Sequence, residues 1–275
     1  MFRSSFAVAV VASAGATGLM ASGADAAATE GLMPHRAVYD IELKEASERA
    51  GIEGMRGRMV YEFVGSECAG YTTSFRFVTR VDTGEQVRVT DQQSLTFEDL
   101  AAGKFRFATK SFTDDQLDKD VSGAAAEENG KVKITLDGPS GRAVELADSR
   151  FPAEHMLEVI EKARRGPTFF ESRIFDGSED GDRSYLTTTI VGRPAMPDRN
   201  DPDALKAGGM AGTAYWPVSI AYYDEKSVGD LLPVYTQSFK LYENGVSRDL
   251  TLDYGDFVLS GHLTELQMLD AGDCK

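Results

Sequence analysis

The sequence has 275 residues, with 44 Asp and Glu against 29 Lys and Arg, and a formal net charge of −15 at pH 7. So acidic a chain argues against binding of nucleic acid, whose phosphates must be neutralised by basic residues, and against charge-driven docking on anionic lipid headgroups. The length is enough to bury a sizeable core. It suits one large domain or two small ones, and all-β folds often run this long as a single domain.

The N-terminus has the three parts of a secretion signal. Arg3 supplies a positive charge, an apolar or small stretch follows from Phe6 to Met20, and residues 24–26 fit a small-x-small cleavage site. A membrane anchor is the alternative, but the strongly apolar run is far shorter than the ~20 residues that a spanning helix needs. No cysteine stands directly after the apolar stretch, which argues against a lipoprotein. We therefore predict a cleaved signal at residues 1–26, a single domain at 27–275, and no stable membrane insertion.

Two cysteines, Cys68 and Cys274, are present in the chain. In an oxidising compartment two cysteines are expected to pair. Their wide separation does not fit a CxxC redox motif, so the bond is interpreted as structural. The alternative is two unpaired thiols.

Most segments alternate between apolar and polar residues with a period of two. Residues 71–80, 104–107 and 131–136 show this clearly, which is typical of antiparallel strands with one face in water. Turn residues recur about every ten positions. Together they predict about fourteen strands in a meandering antiparallel order. Asn244-Gly245 lies between two such strands and indicates a type I′ hairpin.

One segment in the middle has helical spacing instead. The pattern predicts a helix over Pro152–Arg165, with Pro152 in the first turn, basic residues near the end and Gly166-Pro167 as the stop. Its apolar stripe consists of Met156, Leu157, Ile160 and Ala163. Two interpretations stay open: the helix packs on the outside of the sheet, or it plugs the open end of a curved sheet.

An acidic run at residues 176–182 is the best candidate for a metal site. Asp176, Ser178 and Asp180 match three ligand positions of a calcium loop, but Thr187 stands where that loop requires a bidentate Glu. A solvated β-hairpin turn rich in Asp and Gly explains the run better. We predict no metal site here.

Two further segments differ from the regular strands. Residues 194–212 are rich in Pro, Gly and Asp and predict an irregular, mobile loop. Residues 214–223 are aromatic and contain the sole tryptophan, Trp216. Core packing is the first interpretation of this second segment, and lining of an apolar cavity is the second.

The three histidines, His35, His155 and His262, stand alone in the sequence. None has the short-range partner that zinc ligation usually shows, and His155 is interpreted as a packing or capping residue at the start of the predicted helix. The known nucleophile, metalloprotease, P-loop and dinucleotide motifs do not occur. We predict no catalytic residue, no metal and no cofactor.

Several ordered motifs resemble the cell-envelope integrity protein B family. They are residues 35–40 (HRAVYD), 57–63 (GRMVYEF), 68–71 (CAGY), 151–155 (FPAEH), 175–178 (FDGS), 215–217 (YWP) and 242–250 (YENGVSRDL), followed by Cys274 near the end. None of them is a catalytic signature, and the resemblance depends on their number and their order along the chain.

The resemblance implies a periplasmic protein of alphaproteobacteria with a role in envelope integrity. The implied fold is a spiral β-sheet of about fourteen strands, open like an unclosed barrel, with a helix at the cavity. The resemblance also implies a disulfide between Cys68 and Cys274. The implied shape is similar to that of periplasmic lipoprotein carriers, which shelter acyl chains in a half barrel.

We therefore predict a non-enzymatic periplasmic protein that supports the envelope, with an apolar or lipid-like ligand in the concavity of the sheet. The cavity-lining or gating residues are predicted to be Met156, Leu157, Ile160 and Trp216. A hydrolase acting on peptidoglycan or lipid is one alternative. A scaffold that binds another periplasmic envelope protein, with a cavity filled by its own side chains, is the other.

Overall fold

A computed structural model of the chain describes residues 31–138, 141–226 and 232–271. The predicted export signal at residues 1–26 and Cys274 lie outside the described residues, so the signal stays a prediction. Within the described ranges no helix is both long and apolar enough to cross a membrane.

Fourteen strands form one continuous antiparallel sheet. The first eight are β1 (His35–Ala46), β2 (Gly54–Ser66), β3 (Gly70–Asp82), β4 (Val87–Asp99), β5 (Lys104–Thr113), β6 (Gln116–Glu127), β7 (Lys131–Leu136) and β8 (Ala143–Ala147). The other six are β9 (Thr168–Ile174), β10 (Tyr185–Val191), β11 (Trp216–Tyr223), β12 (Tyr235–Leu241), β13 (Ser247–Asp253) and β14 (Phe257–Met268). The prediction of an all-β chain with about fourteen strands is confirmed.

The sheet consists of two meanders that meet at its centre. Its order is β8-β7-β6-β5-β4-β3-β2-β1-β14-β13-β12-β11-β10-β9. The first and last strands of the chain pair with each other, with His35 opposite Met268. The two edges, β8 and β9, are not laddered to each other, so the sheet is an unclosed barrel. An isolated bridge between Arg150 and Ile174 links the segment after β8 to the end of β9.

A single helix of three turns, α1 (Pro152–Arg164), connects the two meanders. Pro152 occupies the first helical position, where its missing N–H is not needed. The helix ends at Arg164, and its C-cap residue Arg165 directly precedes Gly166. The predicted helix is therefore confirmed almost residue for residue.

Helix α1 packs on the inner face of the sheet. Ala153, Val159, Ile160 and Ala163 are buried in one hydrophobic cluster with side chains of both meanders, among them Tyr39 on β1. Of the two interpretations, packing on the outside of the sheet is wrong, and α1 lies at the cavity, as the interpretation of a plug in a curved sheet requires. Burial of the helix stripe removes apolar surface that an open concave sheet would otherwise expose.

A second, smaller cluster fills the inner face of β5–β8. Its members are Phe105, Phe107, Ala125, Val132, Ile134, Leu136, Phe151 and Phe175. The ring of Phe105 stacks on Phe151 with centroids 5.0 Å apart, and Phe107 meets Phe175 edge to face at 5.5 Å. Phe151, directly before α1, and Phe175, directly after β9, thus cover the inner face of β5–β8.

The acidic run at 176–182 joins β9 to β10, so its assignment to a hairpin connection is correct, but the connection is not a fully solvated turn. Gly177 and Gly181 are buried against the second cluster. Gly177 has φ 70°, and a Cβ added there would lie 2.4 Å from Cγ of Phe107. Only glycine permits this approach.

The segment 194–212 contains regular structure, which corrects the prediction of an irregular loop. It contains a short helix, α2 (Pro202–Lys206), and a 3-10 turn at Gly208–Met210. Asp201 caps α2 by accepting hydrogen bonds from the backbone N–H groups of Asp203 and Ala204. Residues Asp203 and Ala204 are buried, so the segment is a packed part of the fold.

The β12–β13 hairpin is where the sequence places it, but its turn type differs. Tyr242 accepts a hydrogen bond from the N–H of Gly245 and donates its own N–H to Val246. Gly245 has φ 88°, whereas Asn244 does not have a positive φ. These features define a three-residue loop that ends in a left-handed glycine, and they exclude type I′.

Cys68 lies in the turn between β2 and β3, at the edge of the sheet where β14 ends. Phe63 on β2 and Met268 on β14 both pair with His35, so β1 alone separates them. Strands two places apart in a sheet are about 10 Å apart, and five residues lie between Met268 and Cys274 in the sequence. Because Cys274 is outside the described residues, the disulfide stays a prediction.

We predict that replacing Cys274 by Ser lowers the free energy of unfolding of the exported protein by about 2–5 kcal/mol, because a native disulfide restricts the unfolded chain. Urea unfolding of the two proteins measures this difference. Thiol titration of the native exported protein is the control, and two titratable thiols would contradict the pairing.

Candidate functional site

A cavity of about 280 Å³ lies between α1 and the inner face of the sheet. It is lined by side chains of both meanders, by the first turns of α1 and by the hairpin glycine. The lining residues are Leu32, His35, Tyr39, Met59, Tyr61, Phe63, Thr73, Phe75, Pro152, Ala153, His155, Met156, Ile174, Asp176, Ile220, Tyr222, Gln237, Phe239, Gly245, Ser247 and Leu250. Most of this wall is apolar or aromatic, with a few polar groups between.

The four residues predicted to line or gate a cavity have different positions. Met156 lines the cavity. Ile160 is 3% exposed within the first core cluster, and Leu157 and Trp216 are half-buried against the same cluster. None of these three is among the lining residues. Of the four predicted residues, only Met156 therefore lies at the cavity wall. Ile220 and Tyr222 line the cavity from the aromatic segment that contains Trp216.

His155 is the polar group of α1 that faces this cavity. The residue is 4% exposed, and its Nε2 atom has no hydrogen-bond partner among the described residues. Burial lowers the pKa of His155 to about 4, with a smaller opposing effect from Glu158. The side chain is therefore a neutral imidazole at pH 7. Packing was predicted correctly for His155, but it caps nothing, because the cap position is Phe151 and carries no side-chain hydrogen bond.

Two further titratable groups line the same cavity. His35 is 3% exposed, its Nδ1 lies 2.8 Å from the carbonyl oxygen of Met33, and burial lowers its pKa. Asp176 accepts a hydrogen bond from the N–H of Ser178 at 2.9 Å. Burial raises the pKa of Asp176, and the hydrogen bonds from Ser178 oppose that shift.

Glu98 on β4 fixes the start of α1. Its two carboxylate oxygens accept hydrogen bonds from the N–H groups of Ala153 and Glu154, each at 2.8 Å. The first N–H groups of a helix have no acceptor within the helix itself. Glu98, which is far away in sequence, accepts two of them and therefore acts as the N-terminal cap of α1. Burial raises the pKa of Glu98 to about 7, although both hydrogen bonds lower it.

A buried ion-pair network holds the 201–210 segment against the sheet. Asp201 lies 2.7 Å from Nη1 of Arg248 and 3.0 Å from Nζ of Lys240. The side chain of Arg248 is fully buried, donates from Nε to the hydroxyl of Tyr242 at 2.9 Å, and stacks 4.9 Å from the ring centre of Tyr215. The sequence pattern did not reveal this network, because its members are separated along the chain.

Asp203, Asp249 and His262 are the group within the described residues that lies close enough to share a metal ion. Asp203 already has other partners. One of its oxygens accepts the N–H groups of Asp249 and Leu263, at 3.0 and 2.8 Å, and the other lies 3.2 Å from Nδ1 of His262. The carboxylate thus bridges β13 and β14 where their ladder stops at Leu250. Its role is explained by the fold without a metal.

Comparison with known proteins places this geometry in a family. Residues 26–270 match the family model described as EipB-like. The chain is 49% identical to the cell envelope integrity protein EipB of Brucella abortus, over 96% of this chain and 95% of that protein. It is also similar to the crystal structure of a β-barrel-like protein with a domain of unknown function (DUF1849) from Brucella abortus. That likeness has a TM-score of 0.84 and 48% identity, and it covers 87% of this chain and 99% of that one.

Proposed function

The chain belongs to the EipB-like family, and from that premise we propose that it is an exported, non-enzymatic protein that supports cell-envelope integrity by holding an apolar ligand in its cavity. The predicted export signal and the name of the Brucella relative support the envelope location. The observation that carries the ligand-binding part is the apolar cavity between α1 and the sheet.

The wall of the cavity has the character of a small-molecule site. Such sites are concave, mostly apolar, and carry a small number of placed polar groups. The cavity volume of about 280 Å³ is close to the lower end of the usual range, about 300–1,000 Å³. One acyl chain or one compact apolar molecule suits this size better than a lipid with several chains.

Helix α1 is the movable wall of this cavity in our proposal. Its rim is tied to the sheet by polar contacts: Ser172 donates to Glu158 at 2.7 Å, and Arg164 donates to Glu243 at 2.7 Å. The Arg164–Glu243 contact is an exposed ion pair and is worth little by itself, whereas the Ser172–Glu158 hydrogen bond is half-buried. Separation of α1 from the sheet would therefore be resisted mainly by its apolar underside, by Glu98 and by Glu158.

The cavity histidines support a non-enzymatic role. A general base works best with a pKa near the operating pH. His155 is held neutral by burial, with a pKa of about 4, and the pKa of His35 is also lowered. Both suit a binding wall better than proton transfer at neutral pH.

We predict that Met156→Trp weakens binding of the neutral fluorescent probe N-phenyl-1-naphthylamine at least tenfold, because the larger ring occupies the cavity. Overpacking costs roughly 1–3 kcal/mol, so circular dichroism must show that the sheet is retained. Glu161→Trp is the matched control, since Glu161 is exposed on the same helix and its replacement leaves binding unchanged. Fluorescence titration measures both.

Three outcomes would contradict parts of this proposal. Equal binding by Met156→Trp and wild type would place the ligand elsewhere. Absence of probe binding by wild type would favour a scaffold whose cavity is filled by its own side chains. Release of a cleaved envelope fragment, detected by mass spectrometry, would favour a hydrolase.

A further inference from the structure

Asp176 is a carboxyl group on the cavity wall that has no positive partner. It follows the end of β9, is half-buried, and is one of the residues that line the cavity. Its hydrogen bonds come from the N–H and hydroxyl groups of Ser178, and no ion pair joins it to a described lysine or arginine. Carboxylates held away from bulk water are normally paired with a cation, so this one lacks a counter-charge.

The rest of the wall supplies no positive charge either. No lysine or arginine is among the described residues that line the cavity. Burial lowers the pKa of His35, and it lowers that of His155 to about 4, so both imidazoles are neutral at pH 7.5. Burial raises the pKa of Asp176, and the charge of Glu179 adds to that shift. Because the chain also has a formal net charge of −15, its field favours entry of a cation over entry of an anion.

Two stacked tyrosines lie beside Asp176. The ring centroids of Tyr222 and Tyr235 are 4.3 Å apart, and the two hydroxyl groups are hydrogen-bonded to each other. Burial is the main cause of the raised pKa of both side chains, and the charge of Asp176 adds to both shifts, so the carboxyl group is close to both tyrosines. Aromatic rings attract cations, so this side of the cavity suits a positive head group.

Gln237 supplies a free carboxamide on the same side of the cavity. It alternates with Tyr235 and Phe239 along β12, so its side chain is on the inner face of the sheet, whereas Ser238 on the other face bonds to Ser219. Gln237 is half-buried, lines the cavity, and forms no hydrogen bond with a described residue. Its carbonyl oxygen is therefore an acceptor that can receive an N–H of a ligand.

The polar groups on the rest of the wall are uncharged. Tyr39 donates to the carbonyl oxygen of Ser247 at 2.7 Å, and Tyr61 is hydrogen-bonded to Thr73. The Nδ1 atom of His35 lies 2.8 Å from a backbone carbonyl oxygen, which makes Nδ1 the donor and leaves Nε2 as an acceptor. The wall thus offers mainly acceptors, which suits a head group that donates.

We propose that the ligand of this cavity is a single-chain amphiphile with a primary ammonium head, which pairs with Asp176 and donates to Gln237 beside Tyr222. The inference rests on the proposed ligand-binding function. The apolar part of the wall would hold the chain. An ammonium group has three donors and no acceptor, and a cation beside Asp176 favours the ionised form of that carboxyl group.

Three ten-carbon compounds that differ in the head group test the charge: decylammonium, 1-decanol and decanoate. Each is used to displace N-phenyl-1-naphthylamine from the wild-type protein at pH 7.5, below the concentration at which it forms micelles, and the displacing concentrations are compared. We expect decylammonium to act at a concentration about tenfold lower than decanoate, because a hydrogen bond between charged groups contributes at least that factor to binding.

Two variants locate the head group. In Asp176→Asn the side chain keeps an oxygen that accepts the N–H of Ser178 but has no charge. The displacing concentration of decylammonium should therefore rise about tenfold, while that of 1-decanol changes less than about twofold. Gln237→Leu should raise the ratio of the decylammonium to the 1-decanol concentration about threefold.

Asp180→Asn is the matched control for the loss of one negative charge. Asp180 is exposed in the same β9–β10 connection and lies 3.5 Å from Nζ of Lys119, so its replacement should leave both displacing concentrations unchanged. Circular dichroism checks that each variant retains the sheet.

The possible failures are distinguishable. Displacement by decanoate at or below the decylammonium concentration in the wild-type protein would overturn this inference, and that comparison needs no variant. An unchanged decylammonium concentration in Asp176→Asn, or no displacement by any of the three compounds, would also overturn it while leaving a probe-binding cavity. Failure of the wild-type protein to bind the probe at all would overturn the proposed function itself.

Discussion

Asp201→Ala is expected to lower the free energy of unfolding by about 3–5 kcal/mol, because removal of one partner leaves the other charge of a buried pair uncompensated. In the variant, the guanidinium of Arg248 would lack its charged partner. The Arg248 side chain has no exposed surface, and its Nη1 lies 2.7 Å from Asp201 in the wild-type protein. Burial alone would raise the pKa of Asp201, yet hydrogen bonds from Arg248, Ala204 and Lys240 hold it at about 2. The same substitution removes the cap of α2, which adds roughly 1 kcal/mol.

Urea unfolding measures this effect, and the transition temperature should fall by roughly 10 °C for a domain of this size. Asp198→Asn is the matched control. Asp198 caps a turn in the same segment through the N–H of Asn200 but is exposed, so its replacement should cost about 0.5 kcal/mol or less.

The double variant Asp201→Ala with Arg248→Met separates the two contributions. An apolar side chain in place of the arginine leaves no buried charge, so the double variant should be more stable than Asp201→Ala alone. If the two losses simply add, the charge explanation is wrong and the cap of α2 alone accounts for the effect.

The sequence predicts the strands well because each one needs only a local pattern. On β7, Val132, Ile134 and Leu136 are buried, while Lys133 and Thr135 between them are exposed, as the alternation predicts. Helix α1 was equally predictable, since its stripe and its end signals lie within the sixteen residues from Pro152 to Pro167. The pairing of β1 with β14 has no local signal, and here only the family resemblance pointed to a spiral.

The structure of the 194–212 segment could not be predicted from its own residues. Its composition is that of a loop, and α2 is only five residues long. Its order depends on Asp201 and Asp203, which bond to groups on β13 and β14. Such partners are found only after the sheet has formed.

The sequence predicted an apolar cavity but not the polar residues that line it. A plug at the open end of the sheet was one of two interpretations of the apolar stripe of α1, and cavity lining was the second interpretation of the aromatic segment of β11. The polar groups on its wall, His35, His155 and Asp176, come from three separate places in the chain. The sequence predicts a packing or capping role for His155 and a solvated turn for Asp176, and it assigns no role to His35, because sequence spacing carries no information on contacts across a curved sheet.

Glu98→Gln is expected to change the pH dependence of stability, because Glu98 is a buried acid that caps α1. The residue is 3% exposed, and burial raises its pKa from 4.5 to about 7 against the effect of its two hydrogen bonds. The folded state therefore retains a proton that the unfolded state loses. The resulting stabilisation is complete below pH 4.5 and disappears as the pH rises through 7, a change of about 3 kcal/mol.

Gln at this position resembles the protonated acid at every pH, so the free energy of unfolding of the variant minus that of wild type should rise between pH 4.5 and pH 8. His155 contributes in the opposite sense, since its lowered pKa makes the fold less stable as the pH falls from 6.5 towards 4. Subtracting the wild-type curve cancels that contribution, because both proteins contain His155.

Urea unfolding at half-unit pH steps measures the difference, with Glu161→Gln on the exposed side of α1 as the control. A difference that stays constant across this range would show that Glu98 is ionised in the folded protein throughout, and that its carboxylate caps α1 without the desolvation cost that its burial implies.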